Sequence, residues 1–341
     1  MRISRLKEKV TARLVEFAWD EWAQMGVFAT PRRESPWAAD PEGHLMFTLQ
    51  IARSDPRLFD ETLDWFATNS AQISAQRLRN MCASDGDRLL CEAAIGWVAR
   101  NGDRPRRMAP RPVPRQGGAE PLFYGRRKPT RLDESFAELG FHRSPARRSR
   151  KSRRPDPRRP INFAFLLRNV FGVGSRAEIM RFLLTASSHA ASGRPPFTTL
   201  AIADAAGFAK RNVQEALTAL VEAGAIEFAR RGNEHLYTID AEAWRNTLRI
   251  EGPLPQFRDW VLALLGLREL HRWLWRPELD DLSPYRLASE ARLFWGQIDS
   301  AFGHAGLPFS PSRQAEGEDF WNVFVELVNQ VLARIDSPVP W

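Results

Sequence analysis

Two cysteines in a chain of 341 residues exclude a disulfide scaffold. Cys82 and Cys91 are nine positions apart in helical patterns, with no Cys-x-x-Cys or Cys/His spacing that would hold zinc. Histidine is equally sparse. His44, His142, His189, His235, His271 and His304 are scattered, and no His-x-x-x-His pair occurs, so no metal site is expected. No apolar run reaches the ~18 residues that cross a bilayer, and charges stand at the N-terminus where a signal peptide has its apolar stretch. The expectation is a cytoplasmic protein in a reducing compartment, without a membrane partner. Residues 171–176, Phe-Gly-Val-Gly-Ser-Arg, lack the third glycine, the lysine and the preceding strand of a phosphate-binding loop and read as a turn. The acidic pairs Asp20-Glu21 and Asp280-Asp281 read as solvated carboxylates. With no catalytic constellation and no cofactor motif, an enzyme is not expected.

Positive charge is abundant and unevenly spread. Residues 101–160 hold eighteen Lys or Arg against six Asp or Glu, an excess of twelve in a chain whose formal net charge is +8. The remainder of the chain is therefore net negative. The same sixty residues carry ten of the 24 prolines, a composition that buries too little apolar surface to offset ordering entropy. A mobile basic linker is expected over 101–160. Residues 132–141 form one island in it able to make a short helix that docks on a neighbour. The linker closes on a run containing Arg147, Arg148, Arg150, Lys151, Arg153 and Arg154.

The rest is helical in pattern, so the fold class is mainly α. Leu6, Val10, Leu14, Phe17 and Trp22 stripe a first helix, and Leu58, Leu63, Trp65 and Phe66 mark another, giving an all-α N-terminal domain over 1–100. A helical C-terminal domain over 249–341 follows from amphipathic patterns near 256–275, 284–302 and 316–335. These carry Trp260, Trp273, Trp275, Trp295 and Trp321, which suit a core, a dimer interface or an effector pocket.

Residues 161–248 have a different pattern. An apolar helix over 161–174 precedes a helix with Ile179, Phe182 and Leu183 on one stripe. Thr198 or Thr199 then caps a short helix stopped by Gly207. A third helix buries Val213, Ala216, Leu217 and Leu220 and turns Lys210, Arg211, Gln214 and Thr218 outward. Its cap position holds Ala209, which cannot accept from the helix N–H groups. Two alternating strands follow Gly224, joined at a tip containing Gly232 and Asn233.

Residues 175–248 resemble the winged helix-turn-helix domains of MarR- or ArsR-like bacterial regulators. The resemblance rests on Ile202-Ala203, Gly207, Val213, Leu217, Leu220 and Ala223-Gly224-Ala225-Ile226, and covers about a fifth of the chain. It implies a sequence-specific transcriptional regulator of double-stranded DNA, a repressor and a homodimer. Lys210, Arg211, Asn212, Gln214 and Thr218 would enter the major groove, and Arg230, Arg231 and Asn233 of the wing would grip phosphates. The basic run 147–154 would add contacts without base preference. The competing expectation is a protein-interaction subunit, such as an antitoxin or defence-system component, that binds a protein partner through its N-terminal domain and uses the winged helix for autoregulation.

Overall fold

The computed structural model describes residues 1–103, 108–114, 117–188, 195–305, 317–335 and 337. His189 and Glu316, the latter at the start of the last expected helix, lie outside the described residues. The chain is mainly α, with small sheets. No helix of the described residues is long and apolar enough to cross a membrane.

The first helices are α1 (Ile3–Gln24), α2 (Pro41–Ile51), α3 (Pro56–Asn69), α4 (Ala75–Asn80) and α5 (Asp85–Asn101). Every residue of α2 is buried, as befits a helix surrounded on all sides. Asp40 caps it by accepting from Gly43 N–H at 2.9 Å, and Pro41 occupies the first helical position, where its missing N–H costs nothing.

The segment expected as a free connector is folded onto these helices. Met108, Leu122, Phe136 and Phe141 are buried in their core. Within it, β1 (Glu120–Pro121) pairs in parallel with β2 (Phe141–His142), and α6 (Glu134–Ala137) lies between them in sequence. Arg143 is only 3% exposed. Its guanidinium lies 5.2–5.6 Å from the ring centres of Phe59, Phe123 and Phe136 and binds Asp60 at 2.7 Å. Composition averages missed this because the anchors come singly, and because cation-π contacts and an ion pair let an arginine serve as a core residue.

The second group comprises α7 (Phe163–Phe171), α8 (Ser175–Ser187), β3 (Phe197–Thr198), α9 (Thr199–Ala206), α10 (Lys210–Glu222), β4 (Glu227–Arg231), β5 (Glu234–Thr238) and α11 (Ala241–Thr247). The strands form one antiparallel sheet in the order β3-β5-β4, with Phe197 opposite Tyr237 and Phe228 opposite the other side of Tyr237. Ile179, Phe182, Leu183, Ile202, Val213, Leu217 and Tyr237 fill its core.

The chain then returns. α12 (Trp260–Leu274), α13 (Pro284–His304) and α14 (Phe320–Arg334) do not form a separate C-terminal unit; they share one apolar core with α1 to α5. Trp260 packs against Phe17, Trp37 and His44, and its Nε1–H donates to Ala38 O at 3.1 Å. Trp260, Trp273 and Trp295 are thereby core residues. The division into 1–100, 101–160, 161–248 and 249–341 thus gives way to two cores. Amphipathic periodicity reports that a face is buried, not which element buries it. α7 belongs to both cores, with Phe165 in the larger and Phe163 and Leu167 in the smaller.

Where the cores meet lies a buried ionic cluster. Arg77 forks onto Asp40 and reaches Glu42 at 2.9 Å. Arg168 joins Glu42 and Glu178 at 2.6 Å each, and Arg181 binds Glu178 at 2.9 Å. Burial alone would raise the carboxyls of Asp40 and Glu178. The arginines reverse this, holding Asp40 far below its ordinary value and Glu178 down at about 2. Glu21 was also misread as solvated. It is 2% exposed and binds Ser35 and Trp37 Nε1, the latter at 3.1 Å.

Removing one partner strands a buried charge. Arg77→Met should therefore lower stability by about 3–5 kcal/mol in urea unfolding; a loss below about 1 kcal/mol would show that the cluster is not desolvated. Asp259, which caps α12 through Leu262 N–H at 3.2 Å, has its carboxyl pushed up by burial to about 6, with that N–H and Arg181 opposing. Its folded value lies above the unfolded one, so its contribution is intact below about pH 4 and is lost as pH rises through about 6. Asp259→Asn keeps the cap and removes the titration. It should match the parent at pH 4 and exceed it by on the order of 1 kcal/mol at pH 8; equal stabilities at both pH values would refute this.

Candidate nucleic-acid interface

Each element here has a local cause. α9 is capped by Thr198, whose hydroxyl accepts from Ala201 N–H at 3.2 Å, and is stopped by Gly207 in the left-handed region at φ +68°. The carbonyls at its end are held from outside. Arg77 Nε donates to Ala206 O at 2.7 Å, Arg181 to Ala205 O at 3.4 Å and Asn80 to Gly207 O at 3.3 Å. The turn into α10 is thus fastened to the helical body. α10 begins after Ala209 with no side-chain cap, as the sequence indicated.

Of the expected contact residues, Lys210, Arg211, Asn212 and Thr218 are exposed on α10, and Arg230, Arg231 and Asn233 are exposed at the β4–β5 hairpin. Arg211 is 88% exposed in its side chain and pairs with Glu215 at 3.1 Å. Thr218 donates its hydroxyl back to Gln214 O at 3.0 Å. Arg230 Nε donates to Gly232 O at 3.0 Å, and Arg231 lies 3.5 Å from Glu234.

Gln214 departs from its expected place. Its amide oxygen accepts from Thr199 Oγ1 at 3.2 Å, and its amide nitrogen donates to the Tyr237 hydroxyl at 3.1 Å. The physical reason is angular: at 100° per residue Gln214 sits at the margin of the stripe through Val213, Leu217 and Leu220, whereas Arg211, Glu215, Thr218 and Glu222 form the outermost row. The amide is a brace between α9, α10 and β5. Glu215 is the functional candidate that sequence reasoning missed, although its i,i+4 spacing from Arg211 was a usable signal. Phe228, 46% exposed on the hairpin and edge-on to His235 at 5.2 Å, was missed as well.

The basic run is laid along α3. Asp64 anchors it, accepting from Arg150 N–H at 3.0 Å, from the Ser149 hydroxyl at 3.2 Å and from Ser152 N–H at 3.4 Å. Burial would raise this carboxyl, but these donors win and hold it below its ordinary value. Arg148 is committed inward, to Asp103 at 2.6 Å, Thr68 at 2.8 Å and Asn101 O at 3.1 Å. Further on, Arg153 N–H donates to Gly26 O at 2.8 Å. Gly26 has φ +110°, and a Cβ there would meet Arg153 O at 2.5 Å, so only glycine admits the close approach. The expectation of a mobile run is thereby corrected, because a buried acid and backbone pairing fix its main chain. Arg147, Arg150, Lys151, Arg153 and Arg154 still present exposed side chains.

Chemically, the outer row of α10 and the hairpin tip can donate to phosphates and base edges. Compared with protein-family models, curated proteins and solved structures, the chain matches none. Gln214→Ala leaves the Thr199 and Tyr237 hydroxyls without their shared partner. It should cost roughly 1–2 kcal/mol of stability, readable by thermal unfolding, and an unchanged midpoint would disprove the brace.

Proposed function

We propose that the unit from α8 to β5 is a winged helix-turn-helix that binds double-stranded DNA in a sequence-specific manner, and that the protein is a transcriptional regulator acting as a repressor. One observation carries the reading. The third helix and the hairpin, joined through β3 and β5 into one small unit, leave free the polar row of α10 and the basic tip, the two surfaces such a unit presents to a duplex. Arg211 and Asn212 are the base readers, since their side chains form paired hydrogen bonds with guanine and adenine. Lys210 lies at the uncapped N-terminus of α10, whose N–H groups suit a phosphate. Arg230, Arg231 and Asn233 hold the flanking backbone, and the basic run 147–154 adds charge without base preference. Two copies at half-site spacing complete the site.

Selection from a randomised duplex pool, followed by anisotropy titration, tests this. A consensus should emerge. Arg211→Ala should weaken binding to it by about 1–3 kcal/mol while affinity for random duplex changes little. Gln214→Ala, compared at equal folded fraction, should leave the base preference intact. Changing Arg147, Arg150, Lys151, Arg153 and Arg154 together to Gln should lower affinity for both duplexes and make log K against log salt shallower, by up to about 0.9 per lost phosphate contact. Failure of the pool to yield any bound duplex would overturn the reading.

A further inference from the structure

A cleft of about 1250 Å³ opens where the first turns of α1 meet the starts of α3, α13 and α14. Ligand sites for drug-sized molecules occupy about 300–1,000 Å³, so the space is ample for one. Its wall is aromatic. Tyr124 and Trp275 are stacked with ring centres 4.3 Å apart and planes 8° from parallel, and Trp321 stands at the start of α14, stacked on Phe324. Tyr124, Trp275 and Trp321 all line the cleft. Their polar ends are already satisfied. The Tyr124 hydroxyl accepts from Gln50 at 3.0 Å, Trp275 Nε1–H donates to Thr11 Oγ1 at 3.1 Å, and Trp321 Nε1–H donates to Met1 O at 2.6 Å. These bonds fix the rings, so a ligand meets apolar surface set in place beforehand, which lowers the ordering cost of binding. Val15 and Leu287 extend that surface.

Charge selects the occupant. Of the carboxylates that line the cleft, Asp280 is paired with Lys7 at 3.1 Å, and Asp55 caps α3 and accepts from Trp19 Nε1–H at 3.2 Å. Glu8, Glu318 and Asp319 are exposed there and have no ion-pair partner among the described residues. Asp319 precedes α14, but its side chain makes no capping bond. Against these three, the other described lining residues bring only the Arg2 side chain and the Met1 amino group, so negative charge is in excess. The floor adds no cation. Ser54 lines it with its hydroxyl 3.2 Å from His271 Nε2, and burial, helped by Arg53 and Arg272, pushes His271 down to about 3, which keeps the imidazole neutral. The wall itself already holds cations against its rings. Lys7 Nζ stands 5.3 Å from the Trp275 ring centre while paired with Asp280, and the Arg53 guanidinium lies 4.6 Å from that of Tyr124. A positive charge between an aromatic face and a carboxylate is thus a geometry that the cleft realises with its own lysine.

We propose that this cleft is a binding site for an amphipathic aromatic cation, a small organic molecule with a planar apolar body and a positive charge. The body lies against Trp321, Val15 and Leu287, where it gains apolar burial and ring stacking. The charge faces Glu8, Glu318 and Asp319. An anion of the same shape meets an uncompensated negative field and is turned away. The site belongs to the larger core and does not rest on the DNA-binding reading.

The full-length protein is titrated into pyronin Y, a cationic xanthene dye, and into fluorescein, an anionic one, and anisotropy is followed at physiological ionic strength, where exposed charges beyond about 8 Å are screened. Pyronin Y should saturate a single site, with fluorescein weaker by about tenfold or more. Glu8→Gln, Glu318→Gln and Asp319→Asn, combined in one protein and all at exposed positions, should weaken pyronin Y by about tenfold and erase most of the preference. The same loss of charge at Asp85→Asn, Glu222→Gln and Glu227→Gln, exposed acids outside the cleft, should change neither affinity. Trp321→Ala, with folding checked by circular dichroism, should also weaken pyronin Y by about tenfold. The proposal is overturned by absence of saturable pyronin Y binding, by fluorescein binding equally well, or by an equal loss in the protein altered outside the cleft. Undiminished pyronin Y binding in the cleft triple variant, or in folded Trp321→Ala protein, overturns it as well.

Discussion

Three arginines and three carboxylates buried together hold this molecule in one shape. Arg77 comes from α4, Arg168 from α7 and Arg181 from α8, while Asp40 and Glu42 start α2 and Glu178 lies on α8. The acids of α2 sit at a helix N-terminus, where the peptide dipoles favour negative charge. Arg168 also reaches Gln72 O at 2.5 Å, and Ser74 N–H reaches Glu42 at 2.7 Å, so the remaining donors and acceptors find backbone partners. A greasy contact between two cores tolerates sliding. Paired charges that cannot be rehydrated do not, because a shift of one hydrogen-bond length leaves an uncompensated ion.

The outcome is a directional junction. The Arg77 guanidinium and the Asn80 amide reach from the larger unit to hold the end of α9, and α10 begins four residues later. The exposed polar row of α10 is thus oriented by residues that never reach the surface. Gln214 completes the arrangement from within the smaller unit, tying α10 to the first turn of α9 and to the sheet.

Much of this was legible in the residues. Gly207 marked the end of α9, Ala209 the uncapped start of α10, and the Val213-Leu217-Leu220 stripe its buried face, because each depends on bonds within a few residues. What could not be read depends on distant partners. That α12 to α14 complete the core of α1 to α5 is a matter of tertiary choice among amphipathic faces. The basic segment was misjudged for a related reason: Asp64, more than eighty residues away, supplies the acceptors that order it. Gln214 failed at finer grain, since a residue on the edge of a helical stripe is sent inward or outward by whichever partner faces it, and here Tyr237 did.

Because the opening and closing helices of the chain share a core, with the smaller unit intercalated between them, the molecule cannot assemble in the order in which it is synthesised. The first hundred residues emerge long before α12 supplies Trp260 and α13 supplies Trp295, and loop closure over that distance is slow. The intervening unit closes its own core from residues adjacent in sequence. On the ribosome it would be the first part with finished tertiary packing. The buried face of α2 would meanwhile stay uncovered, making the nascent N-terminal helices the stretch most dependent on protection from aggregation.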